Sequence, residues 1–486
     1  MGEAVAAEDV LSRKEQKESP LYEGRVKVYP KAVRGRFRTI KWVVLIVLLG
    51  IYYAVPWIRW DRGPGAPDQA VLADFVTRRL YFFGIEIWPQ EIYFLTGLLV
   101  LAAFTLFLAT ALFGRVWCGF TCPQTVWTDL FLWVERMVEG DRGDRIRLDK
   151  APWTAGKIAR KGIKHLLWLM IAAATGGAWI MYFNDAPTVT MALLTGSASL
   201  TQYFFFGLFT GTTYLLAGIA REQVCIYMCP WPRIQGALID QDTLAVTYER
   251  WRGEPRMPFR KSQDWSERGD CIDCKQCVVV CPMGIDIRDG FQLECIGCAL
   301  CVDACNNVME KIHRPRNLIT YDSERNLELR EQGLPPKLKL IRPRTILYAS
   351  VLALVAAVML AALLLRSDAE ISVLHDRSPL FVSLSDGSLR NGYTVKILNK
   401  ERRPRRFEVT LEGLENATLT MIGTRKLSGR SITVEAPPDA VSEHRIFVTA
   451  PRAVVKGDAT EVVFVITDEE SGETQRAESV FRGPRT

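Results

Sequence analysis

The chain has 486 residues, 49% of them hydrophobic, with a net charge of +7, twelve cysteines and four histidines. That length suits two or three domains. Every cysteine falls between Cys118 and Cys305, which excludes a disulfide-stapled secreted domain and marks the thiols as ligands or redox groups of a reducing compartment.

Taken in chain order, residues 1–40 form a polar, basic N-terminal segment. Forty polar residues ahead of the first apolar run argue against a cleaved signal peptide. Residues 41–239 read as a four-helix membrane domain, with spans at 41–57, 92–113, 166–183 and 203–220. The first and third are near the lower length limit for crossing. Trp57, Trp60 and Trp88 are expected to anchor at the interfaces. Trp127, Leu130, Phe131 and Val134 recur at helical spacing, as expected of a helix in the interface plane or of an ordinary connecting helix. Residues 240–330 form a ferredoxin-like domain. A linker and a fifth span follow over 331–365.

Lys and Arg crowd residues 1–40 and 114–165, and 184–202 contains none. The positive-inside bias then predicts a cytoplasmic N-terminus and cluster domain, with residues 366–486 on the far side. Membrane topology thus accounts for the basic charge, and no nucleic-acid partner is needed. The last segment has alternating runs, "GYTVKILNK", "RRFEVTLEG", "SITVEA", "EHRIFVTA" and "ATEVVFVITD", separated by turn residues. They predict an Ig-like β-sandwich that binds a partner, braces the protein or caps it. The expected fold class is mixed: a polytopic α-helical membrane domain, a bacterial two-cluster ferredoxin-like domain and a C-terminal Ig-like β-sandwich.

The ferredoxin-like part carries "CIDCKQCVVVCPMGIDI" and "CIGCALCVDACN". Both runs have the spacing C-x2-C-x2-C-x3-C, in which the fourth cysteine of each ligates the other cluster. Three close thiolates wrap three corners of a cubane, and the fourth corner must come from elsewhere. This predicts two [4Fe–4S] clusters, one on Cys271, Cys274, Cys277 and Cys305, the other on Cys281, Cys295, Cys298 and Cys301. Zinc also takes four thiolates, but zinc knuckles rarely repeat this pattern twice. Pro282 follows the first run and Asn306 the second, a difference of turn shape. Gly284 and Gly297 relieve crowding or make turns.

Two further motifs precede these runs. "GRVWCGFTCPQ" holds Cys118 and Cys122, and "REQVCIYMCPWPR" holds Cys225 and Cys229. Each is C-x3-C-P just past the cytoplasmic end of a span. Each follows an arginine, Arg115 or Arg221, expected at headgroup level. On a helix, residues four apart share a face, so the four thiols are expected to converge. Soft thiolates suit Cu(I), zinc or an iron–sulfur cluster, with Met228 as an extra thioether. The readings are a transient copper site, a third cluster, a redox dithiol, or four buried structural thiols. Haem is a poor reading, with only His165 near a span and no C-x-x-C-H motif. Flavin and nucleotide fingerprints are absent too, so electrons come from another protein or a small reductant.

Together, "WCGFTCPQTVW", "CIYMCPWPRIQGAL" and the paired runs resemble the cytochrome c oxidase accessory proteins known as CcoG, FixG or RdxA. The likeness extends from about residue 25 through the last span and β-rich tail. It implies a multi-pass protein of the bacterial inner (cytoplasmic) membrane, with the β domain periplasmic. It further implies a cupric reductase that supplies Cu(I) for a high-affinity haem–copper oxidase. Its partners would be oxidase subunits or copper-delivery proteins besides membrane lipid, and a homodimer is compatible with it. The candidate copper or redox site is Cys118, Cys122, Cys225 and Cys229. Two other readings remain at this stage: a quinone-linked electron-transfer subunit, and a non-enzymatic scaffold for oxidase assembly.

Overall fold

The computed structural model describes residues 27–63, 65–259, 265–422, 427–455 and 457–484. Residues 1–26 of the expected N-terminal segment lie outside the described residues. Two compact units emerge, Met1–Met359 and Leu360–Thr486.

Among the described residues, five helices of the chain are long and apolar enough to cross a membrane, spanning Arg36–Trp57, Pro89–Phe113, Ala155–Met181, Leu200–Ala220 and Pro343–Leu364. The protein is therefore a multi-pass membrane protein. The third span is longer than its apolar stretch suggested. Thr154 caps it by accepting from the Lys157 amide, so the helix begins eleven residues before the apolar window. The first helix, α1 (Arg36–Ala54), is capped from a distance: Asp303 accepts from the amides of Phe37 and Arg38 at 3.2 and 2.8 Å. This ties the ferredoxin part to the first span. Helix α2 (Tyr93–Phe113) stops at Gly114, whose φ of 59° no Cβ-bearing residue adopts cheaply.

Two connections carry structure that hydropathy did not reveal. Between the first two spans lies a three-stranded antiparallel sheet, β1 (Val71–Asp74), β2 (Arg79–Phe82) and β3 (Ile85–Ile87). Trp88 is buried beneath the Arg79 guanidinium, 3.6 Å from its ring centroid, so it is no interfacial anchor, whereas Trp57 and Trp60 are exposed. Between the third and fourth spans, Ala186–Thr195 is a short helix started by Asp185 and Pro187.

Helix α3 (Pro123–Glu139) is the amphipathic segment. It packs against the spans on one side and exposes Trp133 and Met137. Phe131 and Val134 are buried against Trp168 and Ala172 of the third span and Ala217 of the fourth. On its polar side Thr125, Asp129, Glu135 and Glu139 are buried as well.

The ferredoxin part is closed by a two-stranded antiparallel sheet, β4 (Ala245–Tyr248) with β5 (Ile319–Asp322). The residues before β4 cap α2: Leu244 N–H donates to Leu112 O at 3.1 Å and Thr243 Oγ1 to Ala111 O at 2.9 Å.

The second unit is a two-sheet sandwich. Its strands are β6 (Ala369–His375), β7 (Val382–Ser383), β8 (Leu389–Asn399), β9 (Arg405–Glu412), β10 (Thr418–Met421), β11 (Leu427–Gly429), β12 (Ser431–Ala436), β13 (Ala440–Ala450), β14 (Ala459–Asp468) and β15 (Thr474–Arg482). One sheet runs β11-β10-β13-β8-β6, with β7 on β8, and the other β12-β9-β14-β15. The five alternating runs form β8, β9, β12, β13 and β14. Alternation works because successive side chains face opposite sides of a sheet, as in β12, where Ile432, Val434 and Ala436 are buried between exposed neighbours.

Candidate functional site

Each ferredoxin-type run folds its cysteines inward by the same device. In the first, Asp273 and Lys275 have φ of 49° and 52°; in the second, Gly297 and Ala299 have φ of 69° and 56°. Two left-handed residues in each loop reverse the chain between successive thiols. Short helices follow: Gln276–Val280 carries Cys277, with Cys281 just past its end, and Leu300–Lys311 carries both Cys301 and Cys305.

The fourth cysteines cross over. Burial pushes the Cys305 thiol up to about 12, and Cys277, Cys274 and Cys271 push it the same way. Burial likewise pushes Cys281 up to about 12, with Cys298 and Cys295 as its thiol neighbours. Cys305 therefore sits with the first triplet and Cys281 with the second, the interleaved arrangement that the spacing predicts. Cys271, Cys277 and Cys305 share one apolar core with Val246, Ile287 and Leu318. All twelve thiols are free, and Cys274 is the exposed one.

The membrane-edge motifs also fold alike, by a route other than the α-helical face expected for them. Trp117–Thr121 and Val224–Met228 are π-helical turns. Their closing bonds run from Cys122 N–H to Trp117 O and from Cys229 N–H to Val224 O, both 2.8 Å. Pro123 and Pro230 explain where these turns end. A proline drives the residue before it out of the helical region, and Cys122 and Cys229 have extended ψ of 129° and 121°.

Gln124 joins the two hairpins, donating to Leu216 O at 2.8 Å and Arg221 O at 3.1 Å. The four thiols come into one neighbourhood. Burial pushes Cys118 up to about 12, Arg115 pulls it back, and Cys122, Cys225 and Cys229 push it up again. Met228 is exposed and does not join them. Among the described residues, no three His, Cys, Asp or Glu side chains converge closely enough to hold a single metal ion. The Cys118 thiol donates to Gln235 Oε1 at 2.9 Å, and Gln235, fully buried, donates on to Thr110. The sequence reading missed Gln235; its signal was an amide within the short helix that follows the second motif.

The two arginines make their contacts inside the protein. Both are buried. Arg221, with a φ of 47°, donates to Gly218 O and pairs with Glu135 at 3.0 Å. Glu135 also pairs with Arg145 at 2.8 Å. Burial opposes ionisation of Glu135, yet Arg221, Arg145 and Lys164 hold it at about 2. Arg115 instead reaches across to the second ferredoxin run, where Nη1 donates to the carbonyls of Leu293 and Cys295, the latter at 2.7 Å.

The two backbones also approach closely there. A Cβ on Gly119 would stand 2.9 Å from Ile296 O and 3.0 Å from Cys298 N, and one on Gly297 would stand 3.3 Å from Arg115 O. Cys118 and Cys298 share a buried apolar cluster with Val280, Met283 and Ile296, against which Cys225, Cys281 and Cys301 pack. A cavity of about 40 Å³ beside Cys225, edged by Gln124, Thr125, Arg221 and Glu222, has room for water.

His165 is engaged by the Tyr214 hydroxyl at 2.8 Å. The eight thiols, soft donors in two groups of four, fit iron–sulfur cubanes.

Known proteins agree with this reading. A 4Fe-4S dicluster domain model matches residues 220–324, a 4Fe-4S binding domain model matches 95–139, and a model of the IG-like fold at the C-terminal of FixG matches 359–484. The nitrogen fixation protein FixG of Rhizobium meliloti is 51% identical over 89% of this chain and 88% of its own length. Proteins RdxA and RdxB of Cereibacter sphaeroides are each 46% identical over 96% of this chain and 99% and 98% of their own lengths. The chain belongs to the FixG/RdxA family and is a membrane iron–sulfur electron-transfer protein.

Proposed function

We propose that the protein is a cupric reductase, with Cys118, Cys122, Cys225 and Cys229 as the site where Cu(II) is bound and reduced. Bound [4Fe–4S] clusters on Cys271, Cys274, Cys277 and Cys305, and on Cys281, Cys295, Cys298 and Cys301, supply one-electron storage. The balance is one electron per Cu(II), with Cu(I) as product and a reduced protein or small reductant as donor. The carrying observation is the apolar cluster in which Cys118 and Cys298 are buried and against which Cys225, Cys281 and Cys301 pack.

The residues divide the work. Thiolates favour Cu(I) over Cu(II), so sulfur ligation here draws the metal towards its reduced state. Gln124 fastens the two hairpins together. Gln235 orients the Cys118 thiol. Exposed Cys274 gives a soluble donor an approach to the first ligand set. The basic loops favour a cytoplasmic cluster domain and a periplasmic β-sandwich. Cu(I) would then pass to copper-delivery proteins or to subunits of a haem–copper oxidase, with the β-sandwich as a docking module.

One observation favours a second reading, a third iron–sulfur cluster on the membrane-edge cysteines. The 4Fe-4S binding domain model covers Cys118 and Cys122, and no three of the thiols meet at single-ion distance. One experiment separates the readings. Anaerobically reduced protein is mixed with Cu(II), and Cu(I) is captured by a chelator, beside a variant with all four membrane-edge cysteines changed to Ser. Cupric reduction predicts Cu(I) from the native protein and its loss in the variant, at unchanged iron content. A fall in iron by one cluster's worth supports the third-cluster reading. Undiminished Cu(I) formation by the variant overturns the site.

A further inference from the structure

Gln124 borders two cavities. One is the water-sized space beside Cys225. The other, about 310 Å³, lies among the first, third and fourth spans and the start of α3. Small-molecule sites begin at about 300 Å³. Four aromatic rings line it: Tyr52 and Trp127 stand edge to face at 5.3 Å, and Trp179 and Phe209 lie 5.1 Å apart. Pro123 and Trp179, also in its wall, are exposed. The cavity therefore opens outward among apolar spans, where a membrane places lipid. Its polar groups are few. Thr175 is engaged already: its Oγ1 accepts from Trp127 Nε1 at 2.9 Å and its carbonyl from the Tyr52 hydroxyl at 2.8 Å. Gln124 donates through Nε2 to Leu216 O and Arg221 O. Among the described residues, Gln124 Oε1 and the Thr213 hydroxyl have no hydrogen-bond partner.

We propose that this cavity binds a membrane quinol and is where the protein exchanges electrons with the lipid-soluble quinone pool. A flat ring suits aromatic walls, and an apolar tail can stay in the lipid outside. Gln124 Oε1 is placed to accept from a quinol O–H, and the Thr213 hydroxyl to donate to a quinone carbonyl. The exchange balances as one quinol and two oxidised clusters giving one quinone, two clusters each reduced by one electron, and two protons. Both O–H bonds break, and the protons leave to water. Gln124 and Glu222 edge the water-sized cavity, which gives the protons a first station. Pro123 lies in the quinol cavity wall, Cys122 precedes it, and Cys118 of the same motif is buried with Cys298 of the second ligand set. The inference supplies a donor for the reading under Proposed function. It rests on the cluster assignment there but not on copper.

The test uses full-length holoprotein in lipid nanodiscs and has two readouts, neither involving copper, so this inference and cupric reduction fail separately. In the first, protein reduced with dithionite and freed of the excess is mixed with decyl-ubiquinone, and cluster absorbance is followed. Reoxidation is expected to saturate with quinone, and to slow about tenfold or more in Thr213→Trp, which fills the cavity, at unchanged iron content. Equal reoxidation rates in native and Thr213→Trp protein overturn the proposal. In the second, native protein is illuminated with an azido-substituted decyl-ubiquinone and the label is mapped by mass spectrometry. Label is expected within 123–127, 175–179 or 209–217, displaced by unmodified decyl-ubiquinone. Label that decyl-ubiquinone does not displace marks a space for acyl chains and overturns the proposal. Should Thr213→Trp lose iron, the map of the native protein decides alone: label confined to other segments defeats the inference.

Discussion

The two compact units solve the problem of a buried core in opposite ways. In the sandwich, Tyr393, Val395, Ile397, Val409, Phe464 and Phe481 are fully buried, and facing hydrocarbon closes the core. In the ferredoxin part, thiols with their pKa pushed up share the core with hydrocarbon, among them Cys277, Cys281 and Cys305 at about 12. Metal ligation requires thiolates, so that core reaches its stable state only with the cofactor bound. One unit is stable by packing, and the other holds its reactivity in the place where packing would be.

The largest expected effect breaks that comparison open. Stripping iron anaerobically should make residues 240–330 protease-sensitive and leave the sandwich transition unmoved, as read by limited proteolysis and calorimetry. Coincident loss of both would join what the structure separates. Next is Glu135→Gln, which strands Arg145 and Arg221 in the interior and should cost about 3–5 kcal/mol. Because the Glu135 carboxyl is held at about 2 against an ordinary 4.5, its contribution is complete above about pH 4.5. It is lost as pH falls towards 2. Thermal denaturation in detergent over that range should show a slope that the variant lacks. Phe464→Ala should cost about 3–5 kcal/mol in the sandwich alone, with cluster absorbance unchanged. Smallest is Thr154→Ala, which removes the helix cap bonded to the Lys157 amide and should cost about 1 kcal/mol, read by the same thermal scan.

What the sequence revealed follows range along the chain. The iron–sulfur character was legible because the spacing of the eight cysteines in 271–305 is local. The spans were legible from apolar length, though the start of the third was not, because a Thr cap extends it through polar residues. Strands β1 to β3 escaped notice because residues 71–87 are short runs between two stronger hydropathy signals. The π-turns were hidden because the proline sets where the turn ends, and the spacing of four suggested an ordinary helix face. Arg115 was read as a membrane anchor because its acceptors, Leu293 and Cys295, lie 178 and 180 residues away.

The central claim is that the membrane-edge thiols adjoin the second ligand set and draw electrons from that side. Reduced protein mixed with less than one equivalent of Cu(II), frozen within milliseconds and read by EPR, tests it most directly. The account predicts that the reduced-cluster signal falls in step with the Cu(II) signal, and that neither falls in the variant with all four membrane-edge cysteines changed to Ser. Cluster oxidation by Cu(II) that is undiminished in that variant would contradict it.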